Sequence, residues 1–136
     1  ARAALAEAMN DTESATLLYA DAFDRYRQLL LPGDPRLARA LIPYGNLLAS
    51  TGDESAALLL LEEAVKIREA VLPEGHWEIA VALSALGSVQ SSLGLREAYP
   101  NLQQARNDLL LTRGAANSHT IRAEDRLAEH RATQIN

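Results

Sequence analysis

The side chains that could do chemistry in this 136-residue chain are three histidines, scattered carboxylates, a group of serines and one tryptophan. His76, His119 and His130 show no HExxH or comparable ligand spacing, and cysteines are absent, so no metal centre is expected. His76 and His119 follow loops 43 residues apart. Recurrence at matching places reads as capping or filling of a loop, while His130 reads as lone on a polar helix face. Glu62, Glu63, Glu69, Glu74 and Glu78 fall on outer faces or in loops, where carboxylates are solvated. Glu124 and Asp125 are sequence neighbours and do not face each other on a helix. No paired general acid and base emerges.

Ser84, Ser88, Ser91 and Ser92 cluster within one helix. Gly87-Ser88 is mid-helix and lacks the strand-to-helix turn of a nucleophile elbow, so these serines read as a small polar surface. Gly33-Asp34-Pro35 lacks the glycines and lysine of a phosphate loop. Trp77 either packs over a helix junction or anchors a partner, and aromatic bulk favours packing. The chain is therefore expected to be no enzyme and to need no cofactor.

The elements that position these residues form a repeat. Displacement by 42 residues carries Leu41 onto Leu83, Gly45 onto Gly87, Gly52 onto Gly94 and Gly33 onto Gly75. Backward, Ala57 and Ala64 fall on Ala15 and Ala22; forward, the pair returns one residue early as Ala98 and Ala105. The lost residue is expected back in the next loop, from the spacing of His76 and His119. Glycine inside a helix costs about 1 kcal/mol relative to alanine, so Gly45 and Gly87 predict a close approach of two helices. Alanines seven apart share a helix face and admit a neighbour. Gly52 and Gly94 follow helices, where a left-handed residue ends them with little strain.

Taken in order, residues 1–9 predict the remnant of a first helix. Residues 12–31 predict its partner, burying Ala15, Leu18, Tyr19, Ala22, Phe23 and Tyr26. Helices follow over 35–50, with Pro43 bending it, over 54–72, with a Glu62–Lys66 pair outside, and over 77–92, 95–111 and 118–133. In the last helix Arg126, Glu129 and His130 take places where earlier repeats carry Leu or Gly, as suits a terminal helix facing water.

This pattern resembles the tetratricopeptide repeat in its 42-residue, kinesin-light-chain-like form. It is carried by Leu41, Tyr44, Gly45, Leu48, Gly52, Ala57, Leu61 and Ala64, then Leu83, Leu86, Gly87, Gly94, Ala98, Leu102 and Ala105. The linkers Leu72-Pro73-Glu74-Gly75-His76 and Gly33-Asp34-Pro35 are similar to that family's loop. HEAT repeats run near this length, but the Gly-then-Ala-Ala spacing favours the tetratricopeptide pattern. The resemblance implies an all-α fold, a right-handed α-solenoid of antiparallel helix pairs with a C-terminal capping helix. It implies one array over 1–136: a partial repeat at 1–31, repeats at 35–72 and 77–112, and a cap at 118–134.

The resemblance also implies that first helices line a concave face, presenting Arg39, Ile42, Pro43, Asn46, Ala49 and Ser50, then Val81, Ser84, Ala85, Ser88, Ser91 and Ser92, then Arg122 and Arg126. Of these, Arg39, Ile42, Asn46, Ser50, Ser84, Ser88, Ser91 and Arg122 are the candidate contacts for a protein or peptide. The asparagines that hold a peptide backbone in kinesin-light-chain-like repeats are mostly replaced here by Pro43, Ala85 and serines. The alternative role is self-association or docking onto a domain of the same protein.

Net charge is −5, against the basic stripe of a nucleic-acid binder. No apolar run nears 18 residues, so no membrane span is expected. Lack of cysteine is compatible with the cytoplasm. The opening residues lack a signal peptide's apolar core and read as a helix already under way. The expectation is the C-terminal segment of a larger, bacterial signalling or regulatory protein.

Overall fold

The computed structural model describes residues 11–135. The helix expected over residues 1–9 lies outside the described residues. Six helices and no strand occur among the described residues: α1 Thr12–Leu29, α2 Pro35–Ser50, α3 Glu54–Val71, α4 Trp77–Ser92, α5 Ala98–Arg113 and α6 Ser118–Ile135. The chain divides into two compact units, Ala1–Ile67 and Arg68–Asn136, with the boundary inside α3.

The helix ends follow from local chemistry. Asp11, Asp34 and Asp53 accept from the amides of Ser14, Arg36 and Ala56 at 3.1, 2.9 and 3.4 Å, satisfying amides that have no intrahelical partner. His76 does the same through Nδ1 for Glu78, at 3.0 Å. Asn117, not His119, caps α6, accepting from the His119 amide at 2.9 Å. Both first-helix C-termini close alike. The amide of Asp53 reaches the Leu48 carbonyl and that of Gly52 the Ala49 carbonyl; Leu95 to Gln90 and Gly94 to Ser91 repeat the pattern. Gly52 and Gly94 sit at φ +96° and +72°, the left-handed conformation this closure needs.

In the first unit, α1 packs against α2. Leu37, Ala38, Leu41, Gly45 and Leu48 form the buried side of α2. A Cβ at Gly45 would lie 2.8 Å from Leu61 Cγ, so glycine makes the notch that seats this leucine. Ala57, Leu61 and Ala64 are fully buried. On α1 only Ala15 of the expected stripe is buried; Leu18, Tyr19, Ala22 and Phe23 are half-buried and Tyr26 is exposed. Its neighbour Arg27 is exposed as well. Its guanidinium lies 4.7 Å from the centroid of the Phe23 ring and pairs with Glu63. Glu62–Lys66 is not among the ion pairs of the described residues.

In the second unit, α4 packs against α5 and α6, and α5 against α6. With neighbours on two sides, α4 is buried almost continuously from Ile79 to Gln90. Gly87 repeats the notch, 2.8 Å from Leu102 Cγ and 3.3 Å from its amide nitrogen. Helix α5 starts at Ala98 rather than 95, because the closure of α4 uses Leu95 and a turn follows at Arg96-Glu97. Pro100 then occupies the first turn, where no intrahelical amide bond is lost.

Candidate functional site

In the first unit, α2 carries a stripe at Arg39, Pro43, Asn46 and Ser50. Steps of four, three and four keep them on one face. Arg39 and Ser50 are exposed, Pro43 and Asn46 half-buried. Ser50 Oγ donates to the Leu47 carbonyl at 2.7 Å. Pro43 has no N–H for the carbonyl of Arg39, so this oxygen can accept from elsewhere. Ile42, expected on this face, is 8% exposed and belongs to the core. A shallow cleft is lined by Thr12, Glu13, Thr16, Leu17 and Thr51.

In the second unit the helix caps set the register. From His76 to Asn117 is 41 residues, so the residue lost before α5 is not regained before α6. Val81 therefore corresponds to Arg122, Ala85 to Arg126, Ser88 to Glu129 and Val89 to His130. The Leu and Gly places of the earlier repeats fall on Glu124 and Ala128, correcting the expected placement of Arg126, Glu129 and His130.

Two of the expected contact serines are used internally. Ser84 is 2% exposed and accepts from Arg126 Nη1 at 3.0 Å. Ser91 Oγ lies 2.7 Å from His130 Nδ1. Ser84 and Ser91 stand only about 40° and 60° round the helix from Ser88, on the side that meets α6. His130 is thus buried, not alone on a polar face, and its ring stacks on Tyr99 with centroids 5.9 Å apart. Desolvation, then the neighbouring charge of Arg122, lowers Arg126 to a pKa of about 10, against a smaller raising effect of Glu129. Among the candidates, Ser88 is half-buried and Arg122 exposed. The seam of Ser84 with Arg126 and Ser91 with His130 went unread in the sequence. Its signal was polar residues recurring 42 and 39 positions on.

Trp77 packs as the sequence favoured. Arg113 lies over its ring at 4.0 Å, and His119 and His76 approach at centroid distances of 5.6 and 6.0 Å. Ser91 has the His130 imidazole within hydrogen-bond distance, but a nucleophile also needs oxyanion donors. Ser91 lies in the last turn of α4, where carbonyls rather than amide donors gather. Among the described residues, no group of three or more His, Cys, Asp or Glu could hold a metal, and no helix is long and apolar enough to cross a membrane.

Residues 45–78 match the tetratricopeptide repeat family model. No curated protein matches. Two crystal structures of nearly identical TPR-like repeats, from a Podosopora anserina protein assigned as a kinesin light chain, share the fold. One is a single-substitution variant, with a TM-score of 0.77; the other gives 0.74. Each is 18% identical over 97% of this chain and 63% of its own length. The chain therefore spans 63% of the length of these structures. The likeness extends the fold of the matched repeat over nearly all of this chain.

Proposed function

From the premise of a tetratricopeptide-repeat fold, we propose that this chain is a protein-interaction module whose α2 stripe receives a segment of a partner protein. The observation that carries this is the contrast within α2. Leu37, Leu41, Gly45 and Leu48 hold the core, while Arg39, Pro43, Asn46 and Ser50 line an accessible polar stripe. The cation at Arg39, the amide at Asn46 and the carbonyl relieved of its donor by Pro43 can meet a peptide's acidic and backbone groups. Ser88 and Arg122 are the corresponding accessible contacts on the second unit. We read the module as part of a larger signalling or regulatory protein.

Photo-crosslinking tests this. A benzophenone amino acid at Arg39 or Ser50 is expected to trap a partner from the source cells, and the same residue at exposed Lys66 on α3 is not. The pair Arg39→Glu and Asn46→Ala should abolish capture with helicity intact. Equal trapping at all three sites, or capture by the double variant, would remove α2 as the site.

A second reading, self-association, rests on Leu17 and Leu59. They lie 42 residues apart and are 66% and 68% exposed; exposed apolar groups promote association. Sedimentation of a monomer at every concentration from micromolar to millimolar would dismiss it.

A further inference from the structure

The three first helices begin alike, and three different side chains cap them. Asp34 caps α2, His76 caps α4 and Asn117 caps α6, each accepting from the amide two residues on, at 2.9, 3.0 and 2.9 Å. A backbone amide only donates, so the bond to Glu78 fixes the state of the His76 ring. Nδ1 must keep its lone pair, and the ring proton sits on Nε2. A second proton can enter only at Nδ1. It turns the acceptor into a donor facing the Glu78 N–H, and it puts a cation at a helix N-terminus, where the dipole opposes it. The Asn117 amide has no such second state. Asp34 takes up its proton only in strong acid, near pH 2.

The charged and titratable groups at this corner come from every neighbouring element: Glu74 in the linker, Glu78 of α4, Arg68 of α3, Arg113 of α5 and His119 of α6. The carboxylates favour an imidazolium, but Glu78 already lies 3.8 Å from Arg68, which also donates to the Glu78 carbonyl at 2.6 Å. Arg113 and His119 gather with His76 around the Trp77 ring, at 4.0, 5.6 and 6.0 Å from its centroid, and oppose a further cation there. The charges on the two sides offset each other, so the hydrogen bond decides. We propose that the start of α4 is a pH-sensitive joint, which loses its cap when His76 takes up a proton, while the starts of α2 and α6 keep theirs. The folded chain binds this proton only by giving up the cap; the unfolded chain binds it freely. The cap's contribution is therefore complete above the unfolded histidine value of about 6.5 and is lost as pH falls below it. The joint lies wholly in the second unit and does not require the α2 contacts.

Two measurements on the full chain test this, between about pH 7.5 and about pH 5, the range in which an ordinary histidine titrates. In NMR, the imidazole nitrogen shifts of His76 should show a bare Nδ1 and a protonated Nε2 at the upper pH. The Glu78 amide signal should then move together with the His76 ring on acidification, and the Arg36 amide, capped by Asp34, should stay. Urea unfolding compares the wild type with His76→Asn, whose side-chain oxygen caps at either pH. Every other titrating group is common to the two proteins. Relative to His76→Asn, the unfolding equilibrium constant of the wild type should rise about fivefold between the two pH values, the worth of one cap. The same pH dependence in both proteins would overturn the proposal. So would a proton on Nδ1 at the upper pH, which is read on the wild type alone and stands even if His76→Asn does not fold.

Discussion

Asp34 shows how one residue joins sequence to stability. It follows Gly33, precedes Pro35, and caps α2. Its carboxylate accepts from the Arg36 guanidinium at 3.1 and 2.8 Å and from the Arg36 amide at 2.9 Å. These bonds, side chain first, hold its pKa at about 2, below the ordinary carboxylate value of 3.8. A depressed acid stabilises the fold above its unfolded value and loses that contribution as pH falls through the folded one. Asp34→Asn should therefore melt lower than the wild type at pH 5, with the difference closing near pH 2. A gap unchanged across that range would mean that the charge has no part in it. Arg126 has the opposite sign. A base whose pKa falls on folding costs stability while it is charged, and the cost is relieved above about pH 10. Arg126→Leu is expected to raise the urea midpoint at pH 7 by the equivalent of about 1 kcal/mol. A lower midpoint would show that the bond to Ser84 outweighs the burial.

At the scale of the element, Gly87 and Ala128 occupy the same place in α4 and α6 and face different surroundings. Gly87→Ala puts a methyl against Leu102 and is expected to cost about 1–3 kcal/mol, despite alanine's better helix propensity. Part of that cost should disappear in the presence of Leu102→Ala, giving a non-additive cycle. Ala128 is exposed, so Ala128→Gly should cost only the propensity difference of about 1 kcal/mol. Thermal unfolding of the four variants decides both. The side of α6 corresponding to the notch carries exposed Ile121 and Glu124 beside Ala128, where α4 buries Ala80 and Leu83. The first helices α2 and α4 were legible to the residue because Asp34, His76, Gly52 and Gly94 punctuate them. The register of α6 was not: His119 looked like His76, and only the hydrogen bond to Asn117 separates a cap from its neighbour. Ser84 and Ser88 illustrate the same limit for the site. Periodicity puts both on one side of α4, and only the position of α6 decides which of them stays accessible.

For the molecule as a whole, the two compact units meet inside a helix, and repeat proteins derive their stability from unit terms and nearest-neighbour terms. The units are not equally furnished. Helix α1 buries Ala15 alone fully, whereas α4 is buried along most of its length. The first unit is therefore expected to lose structure at lower denaturant than the second. Trp77 supplies the means to see this. It is the only tryptophan, and its stack with Arg113 and His119 lies entirely within the second unit. Its emission is thus a regional optical reporter, whereas far-ultraviolet circular dichroism averages over all helices. The dichroism transition should begin first and the fluorescence transition follow. Superimposable curves would mean one cooperative block. With that single tryptophan, excited at wavelengths that tyrosine does not absorb, the unfolding of half the chain can be watched without attaching any dye.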